Sequence, residues 1–236
     1  MKKIGFIASI IALLLVTVSY PLCAQSPEES FRKSFPGRPF DAITPSPIPG
    51  VYELVVGTDV FYYAPGPELL IGGPIITKEG RNLTNDRRPA VIGEKMKSLP
   101  LDQAVKIGKG PKTVIEITDP DCPYCRKASE FFKKRTDVTR YVFFLPLAMH
   151  PEAEGKIRYV FCAKDKEAAY EEAMSGRLDG KKPALCADPA VDKLVAAHKD
   201  VAAKAGVNGT PFFYINGQSV FGANTPVIER LLDEKK

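Results

Sequence analysis

A short apolar run, Val114-Ile115-Glu116-Ile117, gives way almost at once to Cys122-Pro123-Tyr124-Cys125 and then to a helix-like stretch. This order constrains the chain strongly. A Cys-x-x-Cys pair where a strand hands over to a helix puts Cys122 at a helix N-terminus. Unpaired backbone N–H groups and the positive end of the helix dipole there favour thiolate over thiol, and the thiolate is the form that attacks disulfides. Far downstream, Gly209-Thr210-Pro211-Phe212-Phe213 places an X-Pro bond at the start of another apolar strand. Such bonds are where cis peptides occur, and a cis Pro211 lying against the thiols would complete a dithiol redox site.

The first residues indicate where such a site operates. Lys2 and Lys3 precede an uncharged apolar run, Ile4 to Val18, and Leu22-Cys23-Ala24 offers a small residue for cleavage. This is the layout of a secretory signal, residues 1–24, cut near Ala24. The run is short for a span of about 20 residues, which disfavours an anchor. Tyr20-Pro21-Leu22 lacks the small residue expected before a lipidated Cys23. Loss of Cys23 leaves Cys122, Cys125, Cys162 and Cys186. Three pairings are possible, and an oxidising compartment favours a labile Cys122/Cys125 pair with a structural Cys162–Cys186 bridge. The rival, a four-cysteine zinc site, wants two close pairs where this chain has one. Arg126 in place of His after Cys125 excludes c-type haem attachment.

The net charge is +5, and without Lys2 and Lys3 it is +3, with both signs interspersed. No basic cluster or aromatic-basic interleaving points to nucleic acid. Residues 25–82 are rich in Pro and Gly around short β-type runs, Val51–Val56, Val60–Tyr63 and Leu69–Ile71. We read them as a small antiparallel sheet whose edge suits dimerisation. Residues 83–100 form a linker helix capped from Asn82-Leu83-Thr84-Asn85, running through Lys97 despite Pro89 and ended by Leu99-Pro100. Residues 101–236 then read as strands Gln103–Ile107 and Thr113–Thr118, helix Pro123–Arg135 and strand Thr139–Leu145. A helical section from Pro151 to about Gly206 follows. Strand Pro211–Ile215, an Asn216-Gly217 hairpin, strand Ser219–Phe221 and a helix capped by Thr225 with Pro226 first close the chain. The fold class is therefore α+β and α/β: an N-terminal antiparallel β domain, a linker helix, and a thioredoxin-like domain with a helical insertion.

At this point the chain resembles the periplasmic disulfide isomerases of the DsbC/DsbG family. The likeness rests on Pro47-Ile48-Pro49-Gly50-Val51-Tyr52, Thr118-Asp119 before the Cys pair, Cys162-Ala163-Lys164-Asp165-Lys166 and Gly209-Thr210-Pro211. The Cys162 segment resembles the isomerase branch, whereas Asp119-Pro120 and Cys122-Pro123-Tyr124-Cys125 resemble the other. The resemblance implies a periplasmic homodimer around an apolar cleft, acting on misoxidised or unfolded exported proteins and reduced by a membrane thiol reductase. No cofactor or metal is implied. Reduction of sulfenylated single cysteines, dithiol oxidation, a redox-linked chaperone and a metal carrier are the alternative activities.

Residue roles follow. Cys122 is expected to be the exposed nucleophile and Cys125, one turn in and more buried, the resolving thiol. Pro211 removes a backbone donor and leaves its neighbour's backbone free for a bound peptide, and Thr210 resembles the family's choice at a position tuning redox poise. Glu116 is unusual in an apolar strand. We weigh a buried proton shuttle beneath Cys125 against a side chain that reaches solvent. Asp121 opposes the thiolate while Arg126 and Lys127 favour it, so the net sign is open, and Asp121 is also a candidate helix cap. His150 and His198 read as surface residues.

Overall fold

The computed structural model describes residues 25–234, and the export signal read at residues 1–24 lies outside them. Ser26 opens α1 (Pro27–Ser34): its Oγ accepts from the Glu29 amide at 3.2 Å while the Glu29 carboxylate accepts from the Ser26 amide at 3.3 Å. This reciprocal cap satisfies two end donors. Reading residues 25–82 as sheet alone omits this helix, although Ser26 and Glu29 stand at capping-box spacing. Phe31 anchors it, buried with ring centroids 5.2 Å from Phe35, 5.3 Å from Phe40 and 5.2 Å from Tyr63.

Four antiparallel strands follow in chain order: β1 (Ala42–Pro45), β2 (Tyr52–Val56), β3 (Asp59–Ala64) and β4 (Leu69–Ile71). β1 escapes sequence reading because it is short and ends in proline. α2 (Leu83–Lys97) is capped by Asn82, whose Oδ1 accepts from the Asn85 amide at 2.9 Å. Pro89 lies inside it without ending it. An interior proline costs about 3 kcal/mol, and burial of Val91, Ile92 and Met96, at roughly 2 kcal/mol each, offsets that. Val91 packs with Val55, Val60 and Tyr62 of the first sheet, whereas Ile92 and Met96 pack with Ile115, Phe143 and Phe212 of the second. α2 thus belongs to both cores.

The second sheet has the order β5-β7-β6-β8-β9, formed by β5 (Val105–Ile107), β6 (Lys112–Thr118), β7 (Val138–Phe144), β8 (Phe212–Ile215) and β9 (Gln218–Phe221). β6 and β7 run parallel through α3 (Pro123–Phe132), and the other neighbours are antiparallel. β5 starts later than expected because Leu101–Gln103 makes a 3-10 turn. α3 ends before the expected Arg135. Asn216 and Gly217 both have positive φ, 49° and 87°, as the tight β8–β9 turn requires.

The insertion comprises α4 (Ala153–Cys162), α5 (Lys166–Met174) and α6 (Pro189–Ala205). Gly206 ends α6 at φ +70°, and a Cβ there would stand 2.7 Å from the Thr58 amide nitrogen. Glycine is what lets the β2–β3 turn approach. α7 (Thr225–Asp233) is capped by Asn224, whose Oδ1 accepts from the Val227 amide at 3.4 Å. Thr225 is therefore the first helical residue and not the cap, since Asn is at least as good a cap as Thr and Pro226 fits anywhere in the first turn. The two halves flanking a helical insertion are the thioredoxin-like architecture expected from sequence. Among the described residues no helix is long and apolar enough to cross a membrane.

Candidate active site

β6 ends at Thr118, and Asp119, Pro120 and Asp121 turn the chain into α3. Cys122 is itself the N-cap, at φ −74° and ψ 120°, with Pro123 next. Asp121 is thus not the cap; its carboxylate is taken by Arg126 and Lys156. The Cys122 side chain makes no capping hydrogen bond, yet the unpaired end amides face the sulfur's side of the turn and favour a thiolate there. Its pKa falls to about 5, chiefly because the Cys125 thiol donates to it. Burial opposes this, while the amides of Cys125 and Tyr124 and the Thr210 hydroxyl reinforce it.

Cys125 behaves in the opposite sense. Burial pushes its thiol well above the usual range, and holding the proton for Cys122 pushes it further. The nearby Thr118 and Thr210 hydroxyls, buried and without a hydrogen-bond partner of their own, lean the other way, and the Asp119 amide donates to the Cys125 sulfur at 3.4 Å. Cys125 has no exposure and Cys122 only 5%. Cys122 is therefore more enclosed than the exposed nucleophile we expected, because the Thr210–Pro211 turn covers it. That peptide is cis, and the Thr210 carbonyl stands 3.6 Å from the Cys122 sulfur. Pro211 is fixed from behind by its own carbonyl, which accepts from the Gly222 amide at 2.8 Å.

Glu116 is wholly enclosed, which excludes the solvent-reaching reading. It shares a face of β6 with Thr118, and its Oε2 accepts from Arg140 at 2.9 Å while its Oε1 accepts from the Tyr170 hydroxyl at 3.2 Å. Arg140 lies over the rings of Phe132 and Tyr170, 5.0 Å from each centroid.

Sequence reasoning missed the importance of Asp119. It is fully buried, accepting from the Asp121 amide at 2.7 Å, the Leu147 amide at 2.8 Å and His150 Nδ1 at 2.9 Å. It ties the loop after β7 to the redox turn, and the quoted Thr118-Asp119 pair was the available signal. His150 is therefore partly enclosed, not a free surface residue. His198 corrects the same expectation more sharply. It is buried on the face of α6 that also carries Val191, Val195 and Val201. Its Nδ1 accepts from the Phe144 amide at 3.0 Å, leaving Nε2–H to donate to the Gln103 carbonyl at 2.9 Å. Burial lowers its pKa to about 4.

Cys162 and Cys186 form a disulfide with S–S 2.06 Å and Cα–Cα 5.6 Å. With these two sulfurs bonded to each other, a four-cysteine zinc site lacks two of its four ligands, and no group of three or more metal-ligating side chains occurs among the described residues.

Comparison with known proteins matches both parts of the fold. Residues 22–85 match the family described as "Disulfide bond isomerase protein N-terminal domain", and residues 99–234 match "Thioredoxin-like domain". The chain is 30% identical over 206 residues to the "Probable thiol:disulfide interchange protein DsbC" of Bordetella pertussis, covering 85% of this chain and 70% of that protein. It is 30% identical over 198 residues to the thiol:disulfide interchange protein DsbC of Salmonella typhimurium, covering 81% and 80%. Among solved structures, a linker-deletion variant of Proteus mirabilis ScsC shares the fold with a TM-score of 0.52 at 16% identity, covering 64% of this chain and 84% of that one. With its Cys-x-x-Cys turn, facing cis-proline and two matched domains, the chain belongs to the DsbC family of thiol:disulfide interchange proteins.

Proposed function

We propose that Cys122 attacks incorrect disulfides in exported proteins, and that the chain isomerises or reduces them. The observation that carries this is the opposed pair of thiols, Cys122 held toward thiolate and Cys125 held protonated beside it. In the first step the Cys122 thiolate displaces one substrate sulfur, forming a mixed disulfide and releasing a substrate thiolate. A substrate thiolate then attacks the mixed disulfide and frees Cys122, which rearranges the substrate with no net electron transfer. When that stalls, Cys125 loses its proton and attacks the Cys122 sulfur. The substrate leaves reduced and the pair is left oxidised. The Asp119 amide and the Thr118 and Thr210 hydroxyls favour charge on Cys125 in that step. Pro211, with no amide hydrogen, leaves the covering turn free to receive substrate backbone.

The remaining assignments are part of this reading. The oxidised pair needs two electrons from outside, which we assign to a membrane thiol reductase. Residues 25–82 form a dimerisation domain, 83–100 a linker helix and 101–236 the catalytic domain. β4 is a sheet edge bearing Leu69 at 54% and Ile71 at 43% exposure, which suits pairing with a second copy. Lys2 and Lys3 before an apolar run support export to the periplasm. Glu116 we assign to holding Arg140 beneath the site.

The test is recovery of activity from a scrambled multi-disulfide substrate in weakly reducing buffer. We expect recovery to vanish in Cys122→Ser and to survive in part in Cys125→Ser. Equal recovery by Cys122→Ser would overturn the assignment.

A further inference from the structure

The residue before Cys122 is an acid, and left free its charge would oppose the thiolate. The fold does not leave it free. Asp121 Oδ1 accepts from Arg126 Nη2 at 3.0 Å and is also bound by Lys156. Lys156 comes from α4, is 2% exposed at its side chain, and reaches Asp179 Oδ1 at 2.5 Å. Arg126 closes the set by donating to Asp179 Oδ2 and Oδ1, each at 2.7 Å, and to the Pro120 carbonyl at 2.6 Å. Two cations and two anions thus form one cluster against the redox turn, with the largely exposed Glu152 carboxylate at its rim, 3.7 Å from Lys156.

The segment after α5 is shaped to deliver Asp179. Gly176 has φ +76°, and a Cβ there would stand 3.1 Å from Arg126 Nη1 and 3.0 Å from Asp179 Oδ2. Burial on its own would lower the Lys156 pKa, but Asp121 and Asp179 prevail and hold it above the ordinary value. Arg126 on Asp179 holds that carboxyl down to about 2. Removing any one of the four side chains unbalances the site by one charge of known sign.

We propose that Lys156 and Asp179 are positioning residues for Cys122: with Arg126 they cancel the charge of Asp121 and so set how readily the thiolate forms. This rests on the reading of Cys122 as the attacking sulfur. The other charged or titratable groups on the elements that meet there are Tyr124, Cys125 and Lys127 on α3, Asp119 in the turn with His150 bound to it, and Glu152 beside Lys156. The cis-proline turn contributes only Thr210.

The experiment follows thiolate ultraviolet absorbance against pH in the reduced full-length protein. Lys156→Met should raise the midpoint by about half a pH unit and Asp179→Asn should lower it by a similar amount. Lys156→Met combined with Asp121→Asn should return it close to the parent value, as should Lys156→Arg alone. General loosening of the fold cannot move two variants in opposite directions. Unchanged midpoints, or shifts of the same sign, would overturn the proposal. If Lys156→Met does not fold, Asp179→Asn and Asp121→Asn decide it, both requiring a fall. A Cys122→Ser control separates the two levels: a titration that persists in it removes the nucleophile assignment, whatever the cluster does.

Discussion

Glu116 and Arg140 meet at 2.9 Å as an ion pair in which the carboxylate is wholly enclosed and the guanidinium side chain keeps 4% of its exposure. They sit diagonally across the parallel strands β6 and β7, beneath α3. Breaking such a pair from one side costs about 3 kcal/mol, because the remaining charge stays buried. Glu116→Gln should therefore lower unfolding stability by about that amount, measured in denaturant, and Glu116→Gln/Arg140→Met should regain part of it. Stopped-flow resolution of the mixed disulfide should keep its pH dependence in Glu116→Gln, since Arg140 and Tyr170 occupy the carboxylate. A lost pH dependence would instead make Glu116 the proton shuttle.

His198 makes stability fall in mild acid. Its folded pKa of about 4 lies below the ordinary 6.5, so its neutral form contributes fully above pH 6.5, and that contribution is lost as pH falls toward 4. A depression of that size is worth about 3 kcal/mol across the window. His198→Gln, which keeps an acceptor for the Phe144 amide and a donor for Gln103, should flatten the stability profile between those limits.

Alkylation of Cys122 should rise through a midpoint near pH 5 and level off above it. Cys125→Ala should move that midpoint upward, since the Cys125 thiol is the strongest single support of the thiolate. A midpoint that stays near 5 in Cys125→Ala would assign the effect to the helix amides instead.

The Cys162–Cys186 bond closes a sequence separation of 24 residues. On the chain-entropy account, opening such a loop costs roughly 3 kcal/mol. Cys162→Ser/Cys186→Ser should lose about that much stability in a urea titration, while both active-site thiols remain countable with a thiol reagent in the folded, reduced protein.

The order of elements was legible because strand, Cys-x-x-Cys and helix follow one another in the chain, and because Asn216-Gly217 and Asn82 mark a turn and a cap by local chemistry. What escaped was local but brief, as with β1, or long-range. Nothing near Lys156 or Asp179 in sequence announces that they meet Asp121, since the meeting depends on how the insertion folds back. Ser26 and Glu29 were readable and went unread beside prolines that suggested strand and turn. His198 shows the opposite failure: it keeps helical register with Val191, Val195 and Val201, so its burial was inferable from periodicity.

Because α2 gives Val91 to one core and Ile92 and Met96 to the other, the N-terminal segment is no detachable cap. Cutting it away would uncover Val91 and strand Thr84, whose hydroxyl hydrogen-bonds with the Tyr62 hydroxyl at 2.5 Å. A truncated chain would therefore report damage to the catalytic half together with loss of any partner copy. Single polar replacements at Leu69 or Ile71 on the β4 edge leave α2 clothed, and they are the cleaner way to ask what a monomer does.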